Sequence, residues 1–319
     1  MIFLSLNKNS IHYARIDDDR NWKSLKFIKK APLPLNIKND SFTTIKDFGV
    51  LRKSIVNLLD TIRDEKDNQL IVSLPEWVAT YKIVRLDKFI RDDYEEEVLY
   101  ELEKLRLGEQ FGNYKIQFYR IDKYYFDDYK YYLELIIHKN IIKKTEQIFN
   151  EIGCDLKAIS IGFYDALYGM SKILPKARMF EDWALCKINE DSNIVGYVRN
   201  GEIYSIAGFT FGQESGYKVH FSSDSNDSMA ILIDELNKMR FSPTEKLVTI
   251  DRIYIYSDDI YSDNFNTFLT YRIENMEVIN PFVEYPIGDI YRGDGDGAGA
   301  MSQFLAMFGI IQRYIDGSI

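Results

Sequence analysis

Several groups of residues in this sequence could do chemistry by their type and spacing. The most conspicuous is Gly293-Asp294-Gly295-Asp296-Gly297-Ala298-Gly299, glycine-rich with two carboxylates, which suggests a calcium loop or a phosphate cradle. A calcium loop needs several oxygen ligands and a late bidentate carboxylate, yet after Asp296 the next acidic residue is Asp316. A phosphate loop continues into Lys-Ser/Thr, and here Ala300-Met301-Ser302 follows. The stretch reads as a linker. The run Asp92-Asp93-Tyr94-Glu95-Glu96-Glu97 could supply paired carboxylates for proton transfer. Adjacent helix residues point apart, and acids suit the positive end of a helix dipole, so the run reads as a solvated first turn. Asp17-Asp18-Asp19 could grip a cation, but reads as a hairpin tip. His138 reads as a turn residue, and neither His12 nor His220 lies in a metalloprotease or nucleophile-elbow motif. Cys154 and Cys186 are too few for a disulfide framework or a zinc site and read as buried thiols of a reducing compartment. No catalytic constellation emerges.

The composition narrows the classes further. Of the 319 residues 46% are hydrophobic, enough for a globular core. No run approaches the ~18 apolar residues of a membrane span, and no secretory leader pattern opens the chain. With 40 Lys+Arg against 49 Asp+Glu the net charge is −9, which argues against a duplex nucleic-acid binder. The 23 Tyr and 20 Phe could stack single-stranded bases. They lie within strands, as in Tyr124-Tyr125-Phe126-Asp127-Asp128-Tyr129, beside acids as often as bases, and so read as core and protein-interface residues. Glycine is scarce: 18 in the chain and none before Gly49.

The elements that must position any site follow from periodicity. Strands are expected over 2–6, 10–16 and 22–28, and a helix over 51–62, where Leu51, Ile55, Leu58, Leu59 and Ile62 form one stripe. A strand over 70–74 ends at Pro75. Next come a strand over 81–86, an acidic helix over 92–107 with Val98, Leu99, Leu102 and Leu105 on one face, and strands over 114–121 and 129–138. A helix over 141–152 closes at Gly153, the residue type that suits a left-handed cap. A strand over 159–161 and a helix over 164–174 lead to short strands over 182–188, 194–199 and 203–209, with Asn200-Gly201 as the hairpin turn. Helix 229–240, strand 252–256, helix 264–272 and an apolar helix over 300–314 complete the chain. The order meander, helix, strand, helix thus occurs before residue 75 and again after residue 180. This is α/β material.

That order resembles the actin-like (RNase H-like) two-lobed architecture, and more narrowly the PilM family of type IV pilus assembly proteins, with the cytoplasmic part of GspL-type secretion proteins more distant. The pieces that carry the likeness are IVSLPEWVATYKIVRL at 71–86, YEEEVLYELEKLRLGEQFGNYKIQFYRI at 94–121 and LELIIHKNIIKKTEQIFNEIGCDLKAISIGFYDAL at 133–167. A late Val278-Ile279-Asn280-Pro281-Phe282 and a final helix over Phe304–Arg313 add to it. The resemblance implies a first lobe of residues 1–74, 159–180 and 303–319, an inserted α+β subdomain over 75–158, and a second lobe over 181–302.

The family binds ATP between its lobes, on two hairpin turns each marked by Asp followed two residues later by Gly. Glycine lets backbone N–H groups approach phosphate, and the carboxylate helps to hold a metal. Here Ser5 and Asn7 take the first pair of places and Lys187 and Asn189 the second. The glycine pair near the adenosine corresponds to Tyr256-Ser257-Asp258-Asp259. With all three turns changed together, the resemblance implies a scaffold that needs no nucleotide, no metal and no catalytic residue. Its implied partner is the cytoplasmic N-terminal peptide of a PilN-like single-span inner-membrane protein. The groove for that peptide lies between the first lobe and the inserted subdomain, and a homo-oligomer or ring is the family expectation. The implied location is cytoplasmic, peripheral to the inner membrane through the partner. An active actin-like ATPase or kinase that uses Asp191 and Asp258 in unusual turns is the alternative, and a peptide-binding adaptor unrelated to pili a third.

Overall fold

The computed structural model describes residues 1–17, 20–33, 45–62, 69–121, 128–174, 181–212, 216–223, 227–242, 246–247, 250–271, 273–285 and 298–319. Asp18, Asp19, the aromatic run 124–127 and the glycine stretch 293–297 lie outside the described residues.

Alternation of apolar residues builds the first sheet. Strands β1 (Ile2–Leu6), β2 (Ser10–Ile16) and β3 (Leu25–Pro32) form an antiparallel meander, and β4 (Gln69–Leu74) and β8 (Asp155–Ile161) add to it in parallel, in the order β3-β2-β1-β4-β8. Ile2, Leu4 and Leu6 share a core with Leu51, Ile55 and Leu59 of helix α1 (Ile45–Ile62), while Met1 and Phe3 face the C-terminal helix. A strand from residue 22 was expected, but Asn21 caps a 3₁₀ turn over Trp22–Ser24 by accepting from Lys23 N, which delays β3 to Leu25.

The second sheet repeats the plan. Strands β9 (Trp183–Lys187), β10 (Asn193–Arg199) and β11 (Glu202–Phe211) form the meander, and β13 (Arg252–Tyr256) and β14 (Met276–Val278) follow in parallel. With β12 (Tyr217–Ser222) at the far edge the order is β12-β11-β10-β9-β13-β14. The Asn200-Gly201 turn has φ of 51° and 82°, as a two-residue hairpin of the right twist requires. Helices α5 (Asp227–Met239) and α6 (Asp263–Thr270) cover one face. The other face, with Leu185, Val198, Tyr254 and Tyr256, joins the core of the first lobe through helix α4 (Gly162–Ile173). Gly196 on β10 lets that helix approach: a Cβ there would stand 3.1 Å from the Phe163 ring. Neither β12 nor β14 was expected from the sequence; the alternation of Tyr217, Val219 and Phe221 with polar residues in β12 was missed, and β14 is three residues long.

Between β4 and β8 the chain forms a separate three-stranded sheet from β5 (Ala79–Asp87), β6 (Tyr114–Ile121) and β7 (Tyr129–His138), ordered β5-β7-β6, with helices α2 (Glu95–Leu107) and α3 (Lys139–Glu151). His138 caps α3, its Nδ1 accepting from Asn140 N at 3.1 Å, and Gly153 closes the helix at φ +70°. Helix α2 corrects two expectations. The face it buries is Glu95, Leu99 and Glu103, spaced by four, whereas Leu102 and Leu105 are 47% and 81% exposed. The first turn is not simply solvated either, since Glu95 meets Lys130 and Tyr132 of β7. The reason lies in the sheet, which presents cations and phenols upward; Lys82 Nζ likewise reaches Glu103 at 2.7 Å. Beneath them Glu134 is fully buried, and burial followed by the Glu103 carboxylate pushes its pKa up to about 8.

The expected final helix is broken in two, α7 (Ala298–Ser302) and α8 (Leu305–Ile315). Helix α8 crosses α4 in close contact: a Cβ on Gly309 would stand 1.8 Å from the Asp165 carbonyl oxygen. No described helix is long and apolar enough to cross a membrane.

Two outcomes follow. Gly309→Ala forces the helices apart and lowers stability by about 1–3 kcal/mol in urea titrations; an unchanged midpoint would contradict the close crossing. Because the folded pKa of Glu134 exceeds its ordinary 4.5, the stability tied to its proton is complete below about pH 4.5 and is lost as pH rises through about 8. Urea midpoints measured at pH 5.5, 7 and 8.5 should therefore fall more steeply for the native chain than for Glu134→Gln, and parallel curves would refute the assignment.

Candidate functional site

The candidate site is the seam between the lobes, where the turns singled out by sequence meet. In the first turn Asn7 N donates to Ser10 O at 2.9 Å and Asn7 Nδ2 to Ser5 O at 3.3 Å. Ser5 faces His12 across β1 and β2, and both are buried. Burial, then Lys30 and Lys187, keep the His12 imidazole well below its ordinary pKa, so it is neutral, with its ring 4.9 Å from that of Phe304. In the second turn Asn193 Oδ1 accepts from Asn189 N at 2.9 Å. The third turn is bonded to the second: Ser257 Oγ donates to Asn189 Oδ1 at 2.8 Å, and Ile188 N to Tyr256 O at 2.9 Å. Lys187, Asn189 and Ser257 therefore form one cluster, with Ser5 and Asn7 in the opposite turn.

What joins the two sides is charge. The Lys187 ammonium donates to Glu76 Oε2 at 2.8 Å and pairs with the Asp258 carboxylate. Glu76 belongs to the segment that follows β4; Lys187 and Asp258 follow from the second sheet. Lys30 Nζ of β3 donates to Asp258 O at 2.9 Å, Asn9 Nδ2 to Asp259 Oδ2 at 3.3 Å, and Lys8 pairs with Asp191. Glu76, Lys187, Asn189 and Asp258 are each 5% exposed or less. Burial opposes the charge on Lys187, but Asp258 and then Glu76 outweigh it and hold the ammonium above its ordinary pKa. Burial likewise pushes Asp258 up to about 6, with Lys187 pulling it back. A buried ammonium between two carboxylates is the arrangement in which loss of one member costs most. No glycine stands in either turn, and the Lys187 ammonium and the Asn189 amide oxygen are already engaged by Glu76, Asp258 and Ser257.

Sequence reading singled out Ser5, Asn7, Lys187, Asn189, Ser257, Asp191 and Asp258, quoted Asp259 only as part of the third turn, and missed Glu76 and Lys30. Glu76 carried one signal, a carboxylate directly after a buried apolar strand and its proline.

A second feature lies where the first lobe meets the inserted subdomain. A groove of about 160 Å³ is lined by Tyr119 and Leu133 of the inserted sheet, by Tyr164, Tyr168 and Ser171 of α4, and by Trp183, Val198 and Ile203 of the second sheet. Tyr119 stacks on Tyr164 at 4.5 Å, and the Arg313 guanidinium lies 5.1 Å from the Tyr164 ring. Arg313 is held in turn by Asp165, Nη1 to Oδ1 at 2.8 Å. His220 lies apart, bonded to Thr210 at 3.1 Å.

No protein-family model matches this sequence, and no curated protein does. Solved structures do. A PilM–PilN type IV pilus biogenesis complex matches with a TM-score of 0.67 at 11% identity, over 98% of both chains. The chain is thereby an α/β protein of that two-lobed, actin-like fold. Weaker matches include a Bacteroides thetaiotaomicron protein of actin-like ATPase fold (TM-score 0.45, 10% identity, 88% of this chain and 90% of that one). The cytoplasmic domain of EpsL from the Vibrio cholerae type II secretion system gives 0.45 at 9% identity, over 97% and 94%.

Lys187→Met leaves Glu76 and Asp258 buried without their cation and should cost about 3–5 kcal/mol. The triple change with Glu76→Gln and Asp258→Asn should recover most of that loss in the same denaturation experiment; equal losses would show that the ion cluster is not the cause.

Proposed function

We propose that this chain is a nucleotide-independent scaffold of a type IV pilus-like or type II secretion-like assembly machine, resident in the cytoplasm and docked on the cytoplasmic tail of an inner-membrane partner. The observation that carries the nucleotide-independent part is the Lys187 ammonium seated between Glu76 and Asp258. It supplies from within the chain the cation that would otherwise arrive with a triphosphate, so the lobes meet without one. In this reading the protein is not an enzyme and takes no cofactor.

The partner part is supported by full-length likeness to a protein whose structure contains PilN, and by the tyrosine-lined groove between α4 and the inserted sheet. Tyrosine is a favoured residue of protein interfaces, because it gives large contact area and a polar tip. The partner is a PilN-like single-span protein that offers a short N-terminal peptide, and assembly into a ring or smaller homo-oligomer would multiply weak contacts.

Magnesium-ATP should give no heat of binding and no rise in melting temperature. A ligand at one hundred times its Kd adds ~2.7 kcal/mol, so true binding would show; saturable binding, or phosphate release abolished by Asp191→Ala, would establish the ATPase or kinase reading instead. The cytoplasmic peptide of a single-span protein encoded beside this one should bind, and Ser171→Trp, which fills the groove, should weaken it at least tenfold. Undiminished binding would move the partner site elsewhere.

A further inference from the structure

Helix α2 and the turn before it carry an apolar stripe that the fold leaves largely in solvent. Tyr94, Val98, Leu102 and Leu105 recur at i, i+4, i+8 and i+11, one side of a helix over about 16 Å. Three of them were expected to be its buried face, yet that face is Glu95, Leu99 and Glu103. Val98 is half-buried, while Tyr94, Leu102 and Leu105 are 50%, 47% and 81% exposed. The stripe looks sideways over β5: Tyr100, on the opposite flank of the helix, donates its hydroxyl to Ile116 O of β6 at 3.0 Å. Between the stripe and β5 lies a cavity of about 310 Å³, with Leu99, Leu102 and Phe118 as apolar lining and Lys82, Arg85 and Arg106 as its cations. Leu105 does not line it, so apolar surface continues beyond the cavity along the helix.

The charges around this cavity do not balance. Lys82 and Arg106 share a single carboxylate, Glu103, which is the only acidic residue of the lining. Arg85 is exposed and has no carboxylate in pairing distance among the described residues; its guanidinium rests 4.9 Å from the centre of the Tyr129 ring. Glu134, across the sheet from Lys82 and Phe118, adds no negative charge at neutral pH, because burial and the Glu103 carboxylate keep it protonated up to about 8. A local excess of cations thus stands beside an apolar stripe, in a chain whose net charge is −9. A free phosphate or small carboxylate would answer the charge and leave the leucines in water. A basic segment would cover the leucines and be repelled by the cations. An amphipathic helix lying along α2 answers both, with apolar anchors at helical spacing and carboxylates beside them.

We infer that the groove between α2 and β5 docks an acidic amphipathic helix of a partner protein, its apolar side chains on Val98, Leu102 and Leu105 and its carboxylates toward Lys82, Arg85 and Arg106. This site is separate from the groove at Tyr119 and Tyr164 and does not depend on the reading given to that groove.

The test is calorimetric titration of the full chain with the probe acetyl-Ala-Leu-Glu-Glu-Leu-Leu-Glu-Glu-Leu-amide, beside the same peptide with lysine for each glutamate. The net charge of the chain favours the lysine peptide at long range, so tighter, saturable binding of the glutamate peptide reports the local cations. Leu105→Ser and Arg85→Glu alter exposed side chains, and each should weaken that binding about tenfold at an unchanged melting temperature. If one variant fails to fold, the other carries the comparison. Ser171→Trp, in the groove at Tyr164, should leave the binding as it is. Equal or tighter binding of the lysine peptide overturns the proposal, as does the absence of saturable heat at millimolar peptide or binding that survives both substitutions. Self-association of the native chain in sedimentation, abolished by Leu105→Ser, would make a second copy the occupant and overturns it as well. Loss of binding in Ser171→Trp alone also overturns it, while supporting the partner groove of the preceding reading.

Discussion

Much of the molecule depends on one carboxylate that water does not reach. Asp165, in the first turn of α4, accepts from Ser73 Oγ of β4 and Ser160 Oγ of β8, each at 2.6 Å, and from Arg313 of α8 at 2.8 Å. Burial alone raises its pKa, and Arg313 with the two hydroxyls pulls it back. Four elements, of which only β8 and α4 are neighbours in sequence, converge on this group. Its desolvation is tolerable only while all of them stay in place, so the cluster specifies where α4 and α8 lie on the first sheet. The glycine contact between those helices is then geometry the cluster has already imposed.

From α4 the consequences spread to both candidate surfaces. Its tyrosines form one wall of the groove against the inserted sheet, with Arg313 beneath their rings. Its other side packs on the second sheet at Gly196, so one apolar core runs through both lobes. The ion cluster at Lys187 sits at the end of that shared core, where a dry surface gives way to polar turns. The seam therefore has two different fastenings. Apolar packing supplies most of the free energy and little direction, whereas the buried ammonium fixes which turn faces which.

How much of this was legible beforehand follows physical lines. Strands whose two faces meet different cores, such as β1, β7 and β13, announce themselves as apolar runs, and the Asn200-Gly201 turn is dictated by backbone sterics. The two-lobed order was readable because it depends on the sequence of elements and not on contacts. Helix α2 was misread because its buried face is acidic: Glu95 and Glu103 are inside only because Lys130, Tyr132 and Lys82 wait for them on strands far along the chain. The same holds at the seam. Lys187 was noticed as a departure from aspartate, but its meaning needed Glu76, more than one hundred residues away in sequence. Local patterns report local periods, and a buried ion pair has none.

The duplicated sheet plan, with a charged turn from each copy meeting at the seam, bears on how such a chain could have changed over generations. A lysine between two buried carboxylates is stable only with both, and each carboxylate is tolerable only with the lysine. Removing the charge of any one member leaves an uncompensated buried charge on the others, and an aspartate at position 187 would set three carboxylates together. Such a cluster behaves as a ratchet: neutral drift can elaborate it, but leaving it requires coordinated changes on both sides of the seam.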